Sequence, residues 1–302
     1  MTQVKDSGRS LPVALIAAMR PRQWTKNVLV FAAPLAAGQL FEVDIFWPSV
    51  GAFIVFCLIS SATYLINDIK DRESDREHPT KYRRPIASGD LSVPLALAFA
   101  AFLGAVSLVV AYLITPALAG VVLAYAVFTL SYSLLLKHEP VIELALLSMG
   151  FLLRAVAGGA ASGIPISQWF LIVAGFGSLF MAAGKRYSEL KREEIAGSKS
   201  ENRRKSLDGY SLGYLRFVWG TAAAVAIMGY ALWAFDVAAT PSSLPWAEWS
   251  VLPFVLAILR YGIVIDRGDA EAPEDAVVAD KASWSWVLRG FFSLLWEHWA
   301  YE

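Results

Sequence analysis

The chain has 302 residues, of which 57% are hydrophobic and only 17% are charged, and its formal net charge is zero. Such an apolar composition excludes an ordinary soluble domain and is typical of integral membrane proteins. One cysteine and three scattered histidines exclude an intramolecular disulfide and offer no transition-metal ligand spacing, so any bound metal would have oxygen ligands.

The N-terminal residues, 1 to 22, lack the apolar core and the cleavage site of a signal peptide. We expect them to form a short amphipathic helix at the membrane interface, with Trp24 as an anchor. Lys26 and Asn27 follow at the start of the first apolar stretch. The sequence therefore places these two side chains at the headgroup level, where they are candidates to bind a lipid phosphate.

Nine apolar stretches approach the length of ~20 residues that a helix needs to cross a bilayer. They cover residues 23–41, 48–66, 93–113, 117–137, 140–161, 166–184, 211–235, 246–265 and 283–300. Lipid permits only helices or closed barrels, and continuous rather than alternating apolar runs favour helices. The predicted fold is an all-α integral membrane bundle of nine transmembrane helices, in a single polytopic domain of residues 1–302.

The connections between these stretches alternate in charge. Those after the first, third, fifth and seventh stretches contain no lysine or arginine, whereas the N-terminus and the other connections hold nearly every base. Because basic loops stay in the cytoplasm, we expect the N-terminus and the two long inserts, 67–92 and 185–210, to be cytoplasmic. The predicted protein crosses the inner (plasma) membrane several times.

The first insert begins with a row of carboxylates. Asn67, Asp68, Asp71 and Asp75 follow the pattern N-D-x-x-D-x-x-x-D. On a helix, steps of three and four residues place the three aspartates on one face, where like charges repel each other unless a cation binds between them. Mg²⁺ takes oxygen ligands and keeps part of its coordination shell for substrate phosphates, so the row is a candidate Mg²⁺ site.

Basic residues follow the carboxylates directly. Lys81, Arg83 and Arg84 lie within four residues of each other, and arginine and lysine are the side chains that bind phosphate. Metal-binding acids beside phosphate-binding bases indicate a diphosphate site. Two simpler interpretations stay open: the aspartates pair with the bases interleaved among them, and the second cluster anchors the chain to anionic lipids. The interleaved bases are Lys70, Arg72 and Arg76.

The segment NDIKDRESD, residues 67–75, resembles the first aspartate motif of the UbiA-type superfamily of intramembrane prenyltransferases. Nine helices with polar inserts after the second and the sixth are also typical of that superfamily. The resemblance implies that Asp68, Asp71 and Asp75 bind Mg²⁺ and that this site, including Asn67, holds the diphosphate of a substrate.

One arginine, Arg154, lies inside the fifth predicted span. Ionisable residues at that depth are by default functional candidates. Arg154 either closes the deep end of a substrate cavity or bonds to helix carbonyls. Glu143 lies eleven residues earlier on the same helix face, which is too far away for a direct pair.

The second insert departs from the superfamily pattern, which has D-x-x-x-D at its start. KRYSELK stands there, residues 185–191, with Tyr187 and Lys191 at the two aspartate positions. Together with RPRQWTKN and HPTKYRRPIASG, this variant resembles the superfamily members that transfer a phosphoribosyl group to a polyprenyl phosphate. It implies that Lys185, Tyr187 and Lys191 bind substrate phosphate. Glu189 and Glu193 form a competing pair, about 200° around the helix, so both pairs cannot face one site.

These features predict a Mg²⁺-dependent transferase. Mg²⁺ on the aspartates holds the diphosphate of phosphoribosyl diphosphate, the bases of both inserts orient the donor's phosphates, and a polyprenyl phosphate of the membrane accepts the sugar. The resemblance implies that the product is used in cell-wall arabinan synthesis and that the protein forms a homotrimer. We expect no nucleic-acid partner. The alternatives are prenyl transfer to an aromatic or other small acceptor, and a transporter or lipid-binding protein. The acidic stretch 266–275 is expected to be a solvated loop.

Overall fold

A computed structural model describes residues 9–197, 205–238 and 246–270, and every regular element in these ranges is helical. The α-helices in chain order are α1 (Leu11–Met19), α2 (Ala32–Ala36), α3 (Val43–Lys70), α4 (Arg72–Glu77), α5 (Pro85–Ser88), α6 (Val93–Ile114), α7 (Pro116–Ser131), α8 (Ile142–Ser162), α9 (Gln168–Ala196), α10 (Leu212–Ala238) and α11 (Trp246–Arg267). The ninth predicted stretch, 283–300, lies outside the described residues.

Seven helices in the described ranges are long and apolar enough to cross a membrane. They are α3, α6, α8, α9, α10, α11, and α7 together with the π-helical turn Tyr132–Leu136 that continues it. These seven coincide with the second to eighth predicted stretches. The long helices follow from uninterrupted apolar runs, because a helix satisfies all of its backbone hydrogen bonds internally.

The first predicted stretch, 23–41, differs from the others. A 3₁₀ helix of 11 residues, Pro21–Phe31, leads into α2, which has only five residues. This segment packs very closely on α8, since a Cβ atom added to Gly158 would lie 1.9 Å from the carbonyl oxygen of Val30. Only glycine permits this approach of the two backbones.

The buried side chains form two main clusters that meet at α8. The first joins α3, α6, α7 and α8 with Val30, and the second joins α8 and α9 with α10 and α11. In lipid, such close packing replaces the hydrophobic effect as the force that holds helices together. α8 therefore connects the first half of the bundle to the second.

The two inserts lie at the same end of the bundle, on either side of the connection between α7 and α8. Lys137 in this connection lies 2.5 Å from Asp71 of the first insert. Val141, at its other end, donates its backbone N–H to the hydroxyl of Tyr210 in the second insert, at 2.7 Å. Val141 has a φ of 68°, which is rare for a β-branched residue, so this bond holds a strained backbone in place.

Candidate active site

Two of the three aspartates of the first insert face the same point. Asp68 in α3 and Asp75 in α4 are both only 3% exposed. One nitrogen of Arg84, Nη1, lies 3.1 Å from Asp68 Oδ1 and 2.6 Å from Asp75 Oδ2. The helical spacing predicts this shared face. A single positive charge therefore already lies between the two buried carboxylates.

Asp71 departs from the predicted row. The regular helix ends at Lys70 and restarts at Arg72, so Asp71 occupies the junction between α3 and α4. Its carboxylate accepts hydrogen bonds from Lys137 Nζ at 2.5 Å and from Asn67 Nδ2 at 3.1 Å. Across the residues that the structure describes, no group of three or more His, Cys, Asp or Glu side chains is arranged to hold a metal ion. The expectation of three carboxylates on one face is thus correct for two of them.

Two of the three cations that neutralise these aspartates come from outside the first insert. Arg20 bonds to Asp68, Arg84 bonds to Asp68 and Asp75, and Lys137 bonds to Asp71. Arg20 lies in the left-handed conformation at the end of α1, with φ 55°, a position that usually takes glycine. An arginine retained there at a cost in backbone strain indicates a role for its side chain.

The interleaved bases do not supply these pairs. Lys70 bonds instead to the backbone carbonyl of Leu134, and Arg76 donates to the carbonyl of Ala87 at 3.1 Å. The sequence interpretation in which neighbouring bases neutralise the aspartates is therefore wrong. Sequence reasoning missed the roles of Arg20 and Lys137, because neither residue is close to its aspartate in the chain.

The donor set of this site fits Mg²⁺ chemically. Carboxylates and the Asn67 amide are oxygen ligands, and the position between Asp68 and Asp75 already holds a cation. A cation held by Asp68 and Asp75 would take the place of Arg84 between them. The arginine released in this way would be next to the metal and available to a phosphate.

Lys81 and Arg83, two further bases of the first insert, lie in the 3₁₀ turn Lys81–Arg83 that follows α4. Arg83 is exposed, and its Nε donates to the hydroxyl of Tyr82 at 3.0 Å. His78 Nδ1 accepts the backbone N–H groups of Thr80 and Lys81, at 3.2 and 3.4 Å. Partial burial and the Lys81 charge lower the pKa of His78. These contacts fix the turn that presents Lys81 and Arg83.

The second insert brings Tyr187 and Lys191 into one cluster with two residues of other helices. The Tyr187 hydroxyl lies 3.1 Å from Asp266 Oδ1, and Arg216 Nη2 lies 2.8 Å from that hydroxyl and 3.0 Å from the same carboxylate oxygen. Lys191 bonds to the backbone carbonyl of Asp266. The expectation of a solvated loop is wrong for Asp266, which lies in α11.

Arg186 fixes the position of Glu189, one member of the competing pair. Arg186 is 1% exposed and its guanidinium donates to both carboxylate oxygens of Glu143, at 2.7 and 2.9 Å. It also bonds to Glu189 at 2.7 Å. Glu189 therefore faces Arg186 and α8, whereas Tyr187 and Lys191 face α10 and α11. Lys185 lies one residue before Arg186 on α9.

Arg154 and Asn27 lie together in the interior. Arg154 Nε donates to Asn27 Oδ1 at 2.8 Å, and its other nitrogens donate to the Gly150 carbonyl at 2.8 Å and the Tyr125 hydroxyl at 2.7 Å. Asn27 is completely buried, and its Nδ2 also lies 3.3 Å from the sulfur of Cys57. The predicted headgroup position is thus wrong for Asn27. Lys26, its neighbour, is partly exposed.

Two open, mainly apolar cavities lie between the helices of the second half. One of about 490 Å³ lies between α9, α10 and α11, with Phe180, Trp219 and Ile258 in its wall and Asp266 at one end. The other, of about 470 Å³, lies between α8, α9 and α10, beside Tyr214. Both volumes are within the range of small-molecule sites.

The sequence profile of the UbiA prenyltransferase family matches residues 27–287, and the chain belongs to that family. A UbiA homologue from Archaeoglobus fulgidus, solved with GPP and Mg²⁺ bound, has a similar fold. The TM-score is 0.67 over 93% of this chain and 99% of that chain, at 17% sequence identity. With seven apolar helices in the described ranges alone, the protein is a multi-pass membrane protein.

Relatives at higher identity narrow the class. The chain is 50% identical to the decaprenyl-phosphate phosphoribosyltransferase of Corynebacterium glutamicum over 292 residues, which are 95% of this chain and 87% of that protein. The protein of the same name from Mycobacterium tuberculosis is 47% identical over 276 residues, 90% of each chain. The family resemblance predicted from NDIKDRESD is confirmed.

Proposed function

We propose that the protein transfers a 5-phosphoribosyl group from phosphoribosyl diphosphate to a polyprenyl phosphate and releases diphosphate. The observation that carries this proposal is that Tyr187 and Lys191 of the second insert, which stand where the family pattern has two aspartates, meet Arg216 of α10 around Asp266. A prenyl diphosphate brings one anionic group, whereas these two substrates bring a diphosphate and two further phosphates. Additional bases are what the additional anions require. Identity of 47–50% to proteins named for this reaction supports the same substrates.

Mg²⁺ is the proposed cofactor, held by Asp68, Asp71 and Asp75 with the Asn67 amide beside them. Held by these residues, the metal would supply positive charge that stabilises the departing diphosphate. Arg84 moves from the carboxylates to a phosphate oxygen of the donor. Lys81, Arg83 and Lys185 bind the outer phosphates, and their fixed positions align the sugar for attack.

The acceptor needs no general base. Its phosphate oxygen is already anionic at neutral pH and attacks C1 of the ribose, while the bond from C1 to the diphosphate oxygen breaks. Attack opposite the leaving group inverts the configuration at C1. Arg154 places a positive charge at the deep end of the substrate cavity. Three hydrogen bonds hold it there, to Asn27, Tyr125 and the Gly150 carbonyl.

The proposed topology has nine spans, with the N-terminus and both inserts in the cytoplasm of a bacterium, at its plasma membrane. The first span is short in residues, but 3₁₀ geometry rises about 2.0 Å per residue, so Pro21–Ala36 extends about 30 Å, close to the hydrocarbon thickness. We further propose that the protein forms a homotrimer and that its product is a precursor for cell-wall arabinan synthesis.

The test incubates purified protein with radiolabelled phosphoribosyl diphosphate, polyprenyl phosphate and Mg²⁺ and measures labelled lipid. Asp71→Ala should abolish the product. Glu73→Ala is the matched control, because Glu73 lies in the same insert with its side chain 76% exposed. Absence of labelled lipid, together with turnover of a prenyl diphosphate, would instead indicate a prenyltransferase.

A further inference from the structure

Three helices of the second half present apolar stripes that end in polar residues at the same end of the bundle. The stripes run from Lys191 to Phe180 on α9, from Arg216 to Ile227 on α10, and from Asp266 to Leu259 on α11. Separations of eleven and seven residues correspond to about three and two helical turns, so each stripe stays on one face. The cavity of about 490 Å³ lies between them.

The polar ends of the stripes form a single basic cluster. Arg216 Nη2 donates to the Tyr187 hydroxyl at 2.8 Å and to Asp266 Oδ1 at 3.0 Å, and Lys191 bonds to the backbone of Asp266. Tyr187 is 1% exposed, and its hydroxyl lies 3.1 Å from Asp266, which lines one end of the cavity. Carboxylate and phosphate oxygens accept hydrogen bonds from the same donors. The Asp266 carboxylate thus occupies the position that suits a phosphate group.

The apolar part of the cavity selects the rest of the ligand. Its wall contains Phe180, Trp219 and Ile258, and Trp219 packs edge to face on Tyr187 with ring centroids 6.2 Å apart. From Asp266 to Ile258 the cavity extends about 12 Å along α11, at about 1.5 Å per residue. A ligand that fits both parts has an anionic head and a long apolar tail.

We propose that this cavity and the basic cluster at its Asp266 end form the acceptor site. Tyr187, Lys191 and Arg216 bind the phosphate of the polyprenyl phosphate, and the apolar cavity, a groove between α9, α10 and α11, holds the first part of its tail. This inference rests on the proposed function. It assigns to the acceptor the bases that the sequence assigns to the donor. Phosphoribosyl diphosphate is polar over its whole surface and would leave the apolar wall without a partner, whereas a polyprenyl chain covers it.

Gly220 offers a way to fill the groove without disturbing the fold. It lines the cavity, and a Cβ atom added there meets no atom within 4 Å. Gly220→Leu should raise KM for polyprenyl phosphate by at least about tenfold and leave KM for phosphoribosyl diphosphate unchanged. Gly120→Leu is the matched control, because Gly120 in α7 also has open space and lies outside the cavity. An unchanged lipid KM in Gly220→Leu would overturn the proposal.

The head of the site is tested by two substitutions with opposite expected effects. Binding of polyprenyl phosphate is measured in nanodiscs without the donor. Arg216→Gln should weaken it about 10- to 100-fold, because it removes a charge-assisted hydrogen bond. Asp266→Asn removes the competing carboxylate at nearly constant shape and should tighten it. Equal or weaker binding by Asp266→Asn would contradict the proposal, as would loss of donor affinity alone in Arg216→Gln.

The same experiments separate this inference from the proposed function. If the wild-type protein forms no labelled lipid, the proposed function fails. If it forms labelled lipid but the Gly220 and Arg216 variants keep normal lipid affinity, the function stands and the acceptor site lies elsewhere.

Discussion

Arg186→Met should destabilise the protein strongly, because it leaves a buried carboxylate without its partner. Arg186 is 1% exposed and Glu143 is 0% exposed, and two hydrogen bonds of 2.7 and 2.9 Å join them. Removing one member of such a pair typically costs about 3–5 kcal/mol of unfolding free energy, since the remaining charge keeps its desolvation penalty and loses its compensation. Of the two other groups bonded to Arg186, Glu189 is partly exposed and can be hydrated after the substitution.

The measurement is equilibrium unfolding in detergent micelles, with a double variant and a surface control. Arg186→Met combined with Glu143→Leu removes both charges and should recover most of the loss, because apolar groups of similar volume replace a buried pair at little cost. Arg192→Met on the same helix breaks a pair of 3.6 Å with Asp269, in which both side chains are more than half exposed, and should change stability by less than ~1 kcal/mol. A double variant as unstable as Arg186→Met alone would refute the reasoning.

Three further predictions concern other parts of the structure. Lys137→Met removes the cation that is paired with Asp71, so the protein should bind Mg²⁺ more tightly. The measurement is calorimetric titration with Mg²⁺ in the absence of phosphoribosyl diphosphate. Unchanged or weaker binding would exclude competition between Lys137 and Mg²⁺. Gly158→Ala should lower the free energy of unfolding by about 1–3 kcal/mol in denaturant, because the added Cβ atom would lie 1.9 Å from the carbonyl oxygen of Val30. An unchanged stability would show that the two backbones separate easily. In an NMR titration, the midpoint of His78 should lie below pH 6.5, because its pKa is lowered in the folded protein. The unfolded chain then binds the proton more readily, so the contribution of His78 to the free energy of unfolding should fall as the pH drops below 6.5. A midpoint above 6.5 would contradict this.

The sequence predicts the long helices well because their signal is local. Each of the second to eighth stretches is a continuous apolar run, and lipid leaves the backbone little choice but a helix. The first stretch is less apolar, since it contains Lys26 and Asn27, and its geometry is 3₁₀ over Pro21–Phe31. It packs closely on Gly158, more than a hundred residues away, and local sequence contains no information on that contact.

The site is predictable in its residue types and not in its pairs. The spacing of Asp68 and Asp75 gives their common face, since both belong to almost continuous helix. Their partners depend on tertiary structure: Arg20 lies 48 residues from Asp68, and Lys137 lies 66 residues from Asp71. Local spacing contains no information on such contacts.

Two side chains show how the orientation of a helix changes an interpretation. Asn27 follows a lysine and a tryptophan, which favours the membrane surface, yet its amide faces inward and bonds to Arg154. Asp266 begins an acidic, loop-like stretch, yet the last turn of α11 includes it and aims it at Tyr187. In both cases the orientation of one helix decides the environment.

The groove between α9, α10 and α11 also determines which concentration of the acceptor lipid governs the reaction rate. Leu259 and Ile263 on its wall are 58% and 44% exposed, so it opens sideways towards the lipid and not only towards the water. A polyprenyl phosphate can then enter by lateral diffusion without leaving the bilayer. The relevant concentration is its mole fraction in the membrane, and adding inert phospholipid at constant total acceptor should slow the reaction.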